Sequence, residues 1–171
     1  MEKAAIRIMG IDPGLRSTGW GIIEASGIAI AYIASGSIRP NPGNGLAGRL
    51  CELHESLAAV MKEYGPSEAA VEETFVNRDP QSALKLGQAR AIALVVPALG
   101  GLPVAEYAAN LIKKTVTGTG HAEKGQIALM VGALLPGAIA QGADAADALA
   151  VAITHARVRN WARNLTSIGR P

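Results

Sequence analysis

With 171 residues, 49% of them apolar and 18% charged, the chain is long enough to bury a sizeable core and too apolar to remain disordered. No run reaches the roughly 18 uninterrupted apolar residues of a membrane span. The start, Met1-Glu2-Lys3, leads into too short an apolar stretch for a signal peptide, and the single Cys51 excludes an internal disulfide, so a cytoplasmic protein without membrane association is expected. The net charge of +2 is unevenly spread: residues 1–77 balance to −3 and residues 78–171 to +5. A basic half can meet a polyanion without an extreme overall charge.

Ile6-Arg7-Ile8-Met9-Gly10-Ile11 is an apolar run that a strand can carry into a core, and it ends on Asp12-Pro13-Gly14. Ser17 to Glu24 and Ile28 to Ile33 are β-prone and separated by Ser26-Gly27, which predicts a three-stranded antiparallel meander. From Leu46 the period changes. Leu46, Leu50, Leu53, Leu57, Val60, Met61 and Tyr64 form one stripe of an amphipathic helix that Gly65-Pro66 ends, with Cys51 and His54 off the stripe. Ala69-Ala70-Val71 is a second short apolar run closing on acids, Glu72-Glu73.

Ser82 to Val96 is predicted helical, with Ala83, Gly87 and Ala91 stacked at four-residue spacing. The stretch from Pro97 to Pro103 interrupts the chain, Val104-Ala105-Glu106 is a further strand, and Ala108 to Val116 a short helix. Thr117 to His121 is a loop, Ala122 to Leu135 a helix, and Ala143 to about Asn164 the last helix. Three strands followed by alternating helices and strands imply an α/β fold, with a mixed five-stranded sheet and helices on both faces. The Pro/Gly-rich 39–45 segment is a loop and not a linker, so residues 1–171 are expected to form a single domain.

The acids carry the chemistry. Asp12 ends a strand, where a carboxylate needs either backbone donors of the turn or a metal ion to offset its burial. Asp144 and Asp147 are three residues apart, about 60° on a helix, so they share one side of its first turns. Capping and dipole effects account for Asp144. They account poorly for Asp147, which sits in an Ala-rich helical stretch. If the sheet brings Asp12 and Glu72 beside that helix, four carboxylates meet. Hard divalent cations, magnesium or manganese, relieve such a cluster, and two of them are a common device for phosphodiester hydrolysis. No Cys/His cluster supports zinc. His155 lies roughly 12 Å along the helix from Asp147, too far to share a site, and is expected to be packing or surface.

The stretches Gly10 to Gly14 with Thr18 to Gly21, Val71 to Phe75, Ser82 to Arg90, and Asp144 to Ala150 closely resemble the bacterial RuvC Holliday junction resolvases, in the same order and with similar separations. The resemblance implies a ribonuclease-H-like fold and a homodimer. It also implies magnesium-dependent cutting of two like-polarity strands at a four-way DNA junction, in recombination and repair, beside a branch-migration motor of the RuvA–RuvB type. Position by position, Asp12, Glu72, Asp144 and Asp147 match the four metal-binding acids of that family. Glu72 is preferred to Glu73 because strand alternation turns Glu73 away. Lys124 matches a catalytic and DNA-contacting base, and Lys113 a second basic position, with Lys114 as its alternative. Phe75 fits an aromatic that stacks on an unpaired base. Arg78, Lys85 and Arg90 fall on the DNA side or a dimer face, and His121 sits in a loop suited to touching phosphate.

Two other classes compete. A nucleotide-binding protein of the actin and sugar-kinase type shares the Gly10 to Gly14 and Thr18 pattern but needs a second lobe, which 171 residues do not supply. A catalytically silent junction scaffold has no use for clustered negative charge facing DNA.

Overall fold

The computed structural model describes residues 4–73, 79–121, 123–138 and 142–168. At the centre of a five-stranded sheet lies β1 (Ile6–Asp12). Its alternating residues feed two cores: Ile8 packs on one face, Met9 and Ile11 on the other. Antiparallel pairing joins β1 to β2 (Thr18–Ser26) and β2 to β3 (Ala29–Ile38). On its other edge β1 pairs in parallel with β4 (Glu68–Glu73), which pairs in parallel with β5 (Val104–Ala108). The order β3-β2-β1-β4-β5 is the mixed sheet that the sequence implies.

Helices α1 (Leu46–Tyr64) and α2 (Pro80–Leu99) cover one face. Helices α3 (Ala109–Thr117), α4 (Lys124–Leu134) and α5 (Ala143–Ile168) cover the other. The bounds of α1 match the apolar stripe, and Gly65 ends the helix in the left-handed conformation. β5 and α5 run on past the sequence reading, to Ala108 and Ile168, and three further elements differ from it for a local reason. β3 runs on to Ile38 past a bulge opposite Ile22 and Ile23, and buries Ser35 with its hydroxyl on that of Tyr32. α2 starts at Pro80 because the Asp79 side chain accepts from the backbone N–H groups of Gln81 and Ser82, and it absorbs Pro97 in its last turn. α4 starts at Lys124 because Glu123 and Gln126 form a reciprocal capping box. By length and composition α2 reaches the threshold of a membrane span, yet it buries Ala89, Ala93 and Val96 against the core of this sheet.

Helix α5 lies directly on β1 and β2, and glycines make that approach possible. A Cβ at Gly10 would overlap the Ala148 carbonyl, and one at Gly19 the Asp144 carbonyl. The helix is buried from Ala148 through Ala156. Within that stretch His155 is more than apolar packing. Its Nδ1 lies 2.8 Å from the Tyr107 hydroxyl and its Nε2 2.9 Å from Glu68 Oε2, while Arg159 Nε donates to Glu68 Oε1 at 2.7 Å. Burial pushes the Glu68 carboxyl up, but the hydrogen bonds from His155 and Arg159 outweigh it and hold the group below the usual range. This polar chain ties β4, β5 and α5 together. His155→Leu orphans the buried Tyr107 hydroxyl and is expected to cost about 1–3 kcal/mol, a fall in Tm of roughly 3–10 °C by thermal denaturation. His155→Gln, which retains one of the two partners, should lose less.

Candidate active site

Asp12 closes β1, and Glu72 follows the last rung that β4 shares with β1, Ile11 opposite Val71, while still pairing with Tyr107 of β5. Pleat alternation puts Gly10 and Asp12 of β1, and Ala70 and Glu72 of β4, on the face that α5 covers. That helix brings Asp147 to the same place. Asp12, Glu72, Asp147 and Lys113 line one cleft of about 220 Å³, walled by Ile112, Ile127 and Ala150. Asp144, one helical turn before Asp147, accepts a 2.6 Å hydrogen bond from Ser17 Oγ.

The electrostatics show how closely the acids are coupled. The Asp12 carboxyl is pushed up from 3.8 to about 8, first by burial, then by the charges of Glu72 and Asp147, a hydrogen bond with Glu72, and the charge of Asp144. The rise reflects burial first and the crowding of like charges second. The turn chemistry expected of Asp12 falls to another residue. Thr18, fully buried, closes the loop between β1 and β2 by donating from Oγ1 to the Gly14 carbonyl and accepting from the Gly14 N–H. Asp12 is thereby left to the cleft.

The donor set is all carboxylate oxygen, which suits magnesium or manganese. Among the described residues no three acidic, His or Cys side chains form a ready metal-binding cluster. An open arrangement of this kind suits magnesium, which is commonly held by one or two carboxylates together with substrate phosphate. The residues present therefore fit a divalent cation.

The basic positions divide. Lys113 lines the cleft, whereas Lys114 is exposed in the last turn of α3. Lys124 opens α4, but its side chain lies outside the described residues, as do Phe75 and Arg78. His121 is exposed on the loop after α3, with its backbone N–H donating to Thr119 Oγ1. Lys85 is exposed on α2 beside a different cavity, and Arg90 pairs with Glu106 of β5. Sequence reasoning missed Ser17 and Thr18 as supports of the site. Nothing in the linear sequence links Ser17 to an acid 127 positions away. Thr18, however, follows the Gly14 turn at four-residue spacing, and that spacing is the signal a side-chain brace leaves.

Residues 8–155 match the family described as crossover junction endodeoxyribonuclease RuvC. The chain is 70% identical over 159 residues to the protein of that name from Methylocella silvestris, covering 93% of this chain and 90% of the relative. It is 56% identical over 167 residues to the one from Rhodopseudomonas palustris strain TIE-1, covering 98% and 96%. Among solved structures, it is similar to Thermus thermophilus RuvC in complex with Holliday junction substrate, with a TM-score of 0.84, 31% identity, and 92% and 96% of the two chains covered. The yeast mitochondrial Holliday junction resolvase shares the fold at a TM-score of 0.68 and 10% identity, over 94% of this chain and 83% of that one. With its ribonuclease-H-like α/β sheet and its acid-lined cleft at the end of the central strands, this chain belongs to the RuvC family of crossover junction endodeoxyribonucleases.

Proposed function

We propose that this chain resolves four-way DNA junctions by hydrolysing one phosphodiester in each of two like-polarity strands, with Asp12, Glu72, Asp144 and Asp147 as its metal-binding acids. The observation that carries the reading is the cleft in which Asp12, Glu72 and Asp147 meet beside Lys113. Nucleases of this family are metal-dependent. Two magnesium ions held by the four carboxylates, with manganese as a substitute, would supply the charge that activates water and stabilises the leaving oxygen.

The chain's own residues prepare that chemistry. Asp12 and Glu72 stand on neighbouring strands of the sheet, so their spacing is fixed by backbone pairing and not by loops. Asp147 and Asp144 come from a helix seated on glycines, and Ser17 orients the Asp144 carboxylate. Lys113 places a cation at the cleft wall, where it can meet a phosphate oxygen and offset charge that develops there. Lys124 joins it near the scissile phosphate, and Phe75 stacks on an unpaired base at the crossover. Lys85, Lys114 and His121 contact DNA backbone outside the cleft, and Arg78 is a further DNA contact.

Two symmetric cuts need two sites related by a twofold axis, so the working form is a homodimer. The outer side of α2 supports this reading, because Leu84 and Leu99 are 69% and 76% exposed on a helix that buries only Ala89, Ala93, Val96 and Pro97. Residues 1–171 act as one nuclease domain in the cytoplasm, where a RuvA–RuvB type motor delivers junctions. A synthetic four-way junction and a linear duplex of the same sequence, each incubated with and without magnesium, test the reading. Paired symmetric nicks in the junction alone, dependent on magnesium, are expected. Equal nicking of the duplex, or an uncut junction, would overturn it.

A further inference from the structure

On the other side of the loop between β1 and β2 lies a second cavity, of about 420 Å³, lined by Arg16, Arg49 and Lys85 together with Ser82. Among the described residues no carboxylate lines it. The three cations come from the β1–β2 loop, the start of α1 and the N-terminal half of α2, so the fold brings together like charges that are distant in sequence. Such a gathering opposes folding unless an anion serves it. Arg49 is held in place, since its Nη2 donates to the Leu15 carbonyl at 2.8 Å. Its Nε is buried without an acceptor among the described residues. A buried guanidinium donor left unpaired is the kind of group that a bound oxyanion satisfies. Asp79 lies within the field of Lys85, but its carboxylate is committed to the hydroxyl and N–H of Ser82 and the N–H of Gln81.

We infer that this cavity is a subsite for a backbone phosphate of the junction, separate from the phosphate that is cut. The inference rests on the junction-resolving reading and extends it to Arg16 and Arg49, neither of which is among the DNA-contacting residues proposed above. Its position gives it a purpose. One loop carries Ser17 against Asp144 and Leu15 against Arg49, so a phosphate held by Arg16, Arg49 and Lys85 sets the register of a DNA strand relative to the acid cleft.

The test measures junction affinity between 50 and 200 mM salt, about the range over which phosphate contacts are read. It uses the wild-type protein, Arg16→Gln, Lys85→Gln and the double variant. Arg16 and Lys85 are exposed, so these variants keep the fold, whereas Arg49 braces the loop and is left intact. The double variant is expected to bind roughly three- to tenfold more weakly, and its plot of log affinity against log salt should be shallower by about 0.9, the loss of one phosphate contact. An unchanged slope in variants with wild-type melting, while the wild type binds the junction, overturns the subsite alone. Failure of the wild type to bind the junction overturns the functional reading and the subsite with it. A thermal shift with inorganic phosphate that vanishes in the double variant, without change in the DNA slope, would make the cavity a free-anion site and overturn the DNA assignment.

Discussion

Asp12→Asn is expected to leave a folded protein that still binds a four-way junction but cuts it at least about a hundredfold more slowly in magnesium, the scale on which losing a principal electrostatic contact slows an enzyme. The substitution removes one charge and almost no volume at the point where the fields of Glu72, Asp147 and Asp144 meet. A junction-cleavage time course beside a gel-shift titration separates the two effects. Undiminished cleavage would remove Asp12 from the metal-binding set.

The same variant carries a stability signature with a definite sign. The Asp12 carboxyl titrates near 8 in the folded, metal-free protein against an ordinary 3.8, so the folded state holds a proton that the unfolded chain has lost. Its contribution to stability is fully present below about pH 4 and is lost as pH rises toward 8 and above, on the order of a few kcal/mol. Metal-free wild type should therefore melt at lower temperature at pH 8 than at pH 5. Magnesium should raise Tm more at pH 8, where it meets ionised carboxylates. Asp12→Asn should flatten the pH dependence and melt higher than wild type at pH 8 without metal. Equal metal-free melting of the two proteins at pH 8 would show that the cluster carries no such strain.

Gly19→Ala, like Gly10→Ala, should be severely damaging for a single methyl group. Its Cβ would overlap the backbone carbonyl of Asp144, and no flexible side-chain end is available to yield. The start of α5 must then lift from β2, at a cost of about 1–3 kcal/mol or more. Cleavage should fall further than stability suggests, by tenfold or more, because displacement of a reacting group by about 1 Å can cost a hundredfold in rate. Gly132→Ala is the control. It lies in α4 with open space around its Cβ, and should leave cleavage intact while stabilising by about 0.5–1 kcal/mol. Equal cleavage by Gly19→Ala and wild type would show that the seating of α5 on the sheet does not set the acid geometry.

The order of strands and helices, and the meeting of Asp12, Glu72 and Asp147, were legible because each rests on a local pattern with a period. Two short apolar runs, Ile8 to Ile11 and Ala69 to Val71, end on acids, and the Asp144 and Asp147 pair falls within one helical turn. The boundaries of α2 and α4 were less legible, since they are set by the caps Asp79 and Glu123, whose capping partners become evident only from backbone geometry. What could not be read was long-range polar pairing. Neither Ser17 with Asp144, nor the chain from Tyr107 through His155 to Glu68, leaves a mark at any fixed spacing. Lys113 and Lys114 are adjacent and chemically identical, and only the rotation of α3 tells them apart, with Lys113 facing the cleft.

The seating of α5 on the sheet also has a temporal side. The acids that line the cleft come from positions 12, 72 and 147, with Asp144 one helical turn before the last, and both Asp144 and Asp147 belong to α5. Along the chain the segments of β1 through β5 all precede α5, yet the core on one face of their sheet is built largely from Leu149 to Ala156 of that helix. Until that helix docks, Gly10 and Gly19 face an empty trough, and half of the carboxylates are missing. A chain without α5 lacks Asp144, Asp147 and the apolar cover of β1 and β2, and is expected to leave a four-way junction uncut in magnesium.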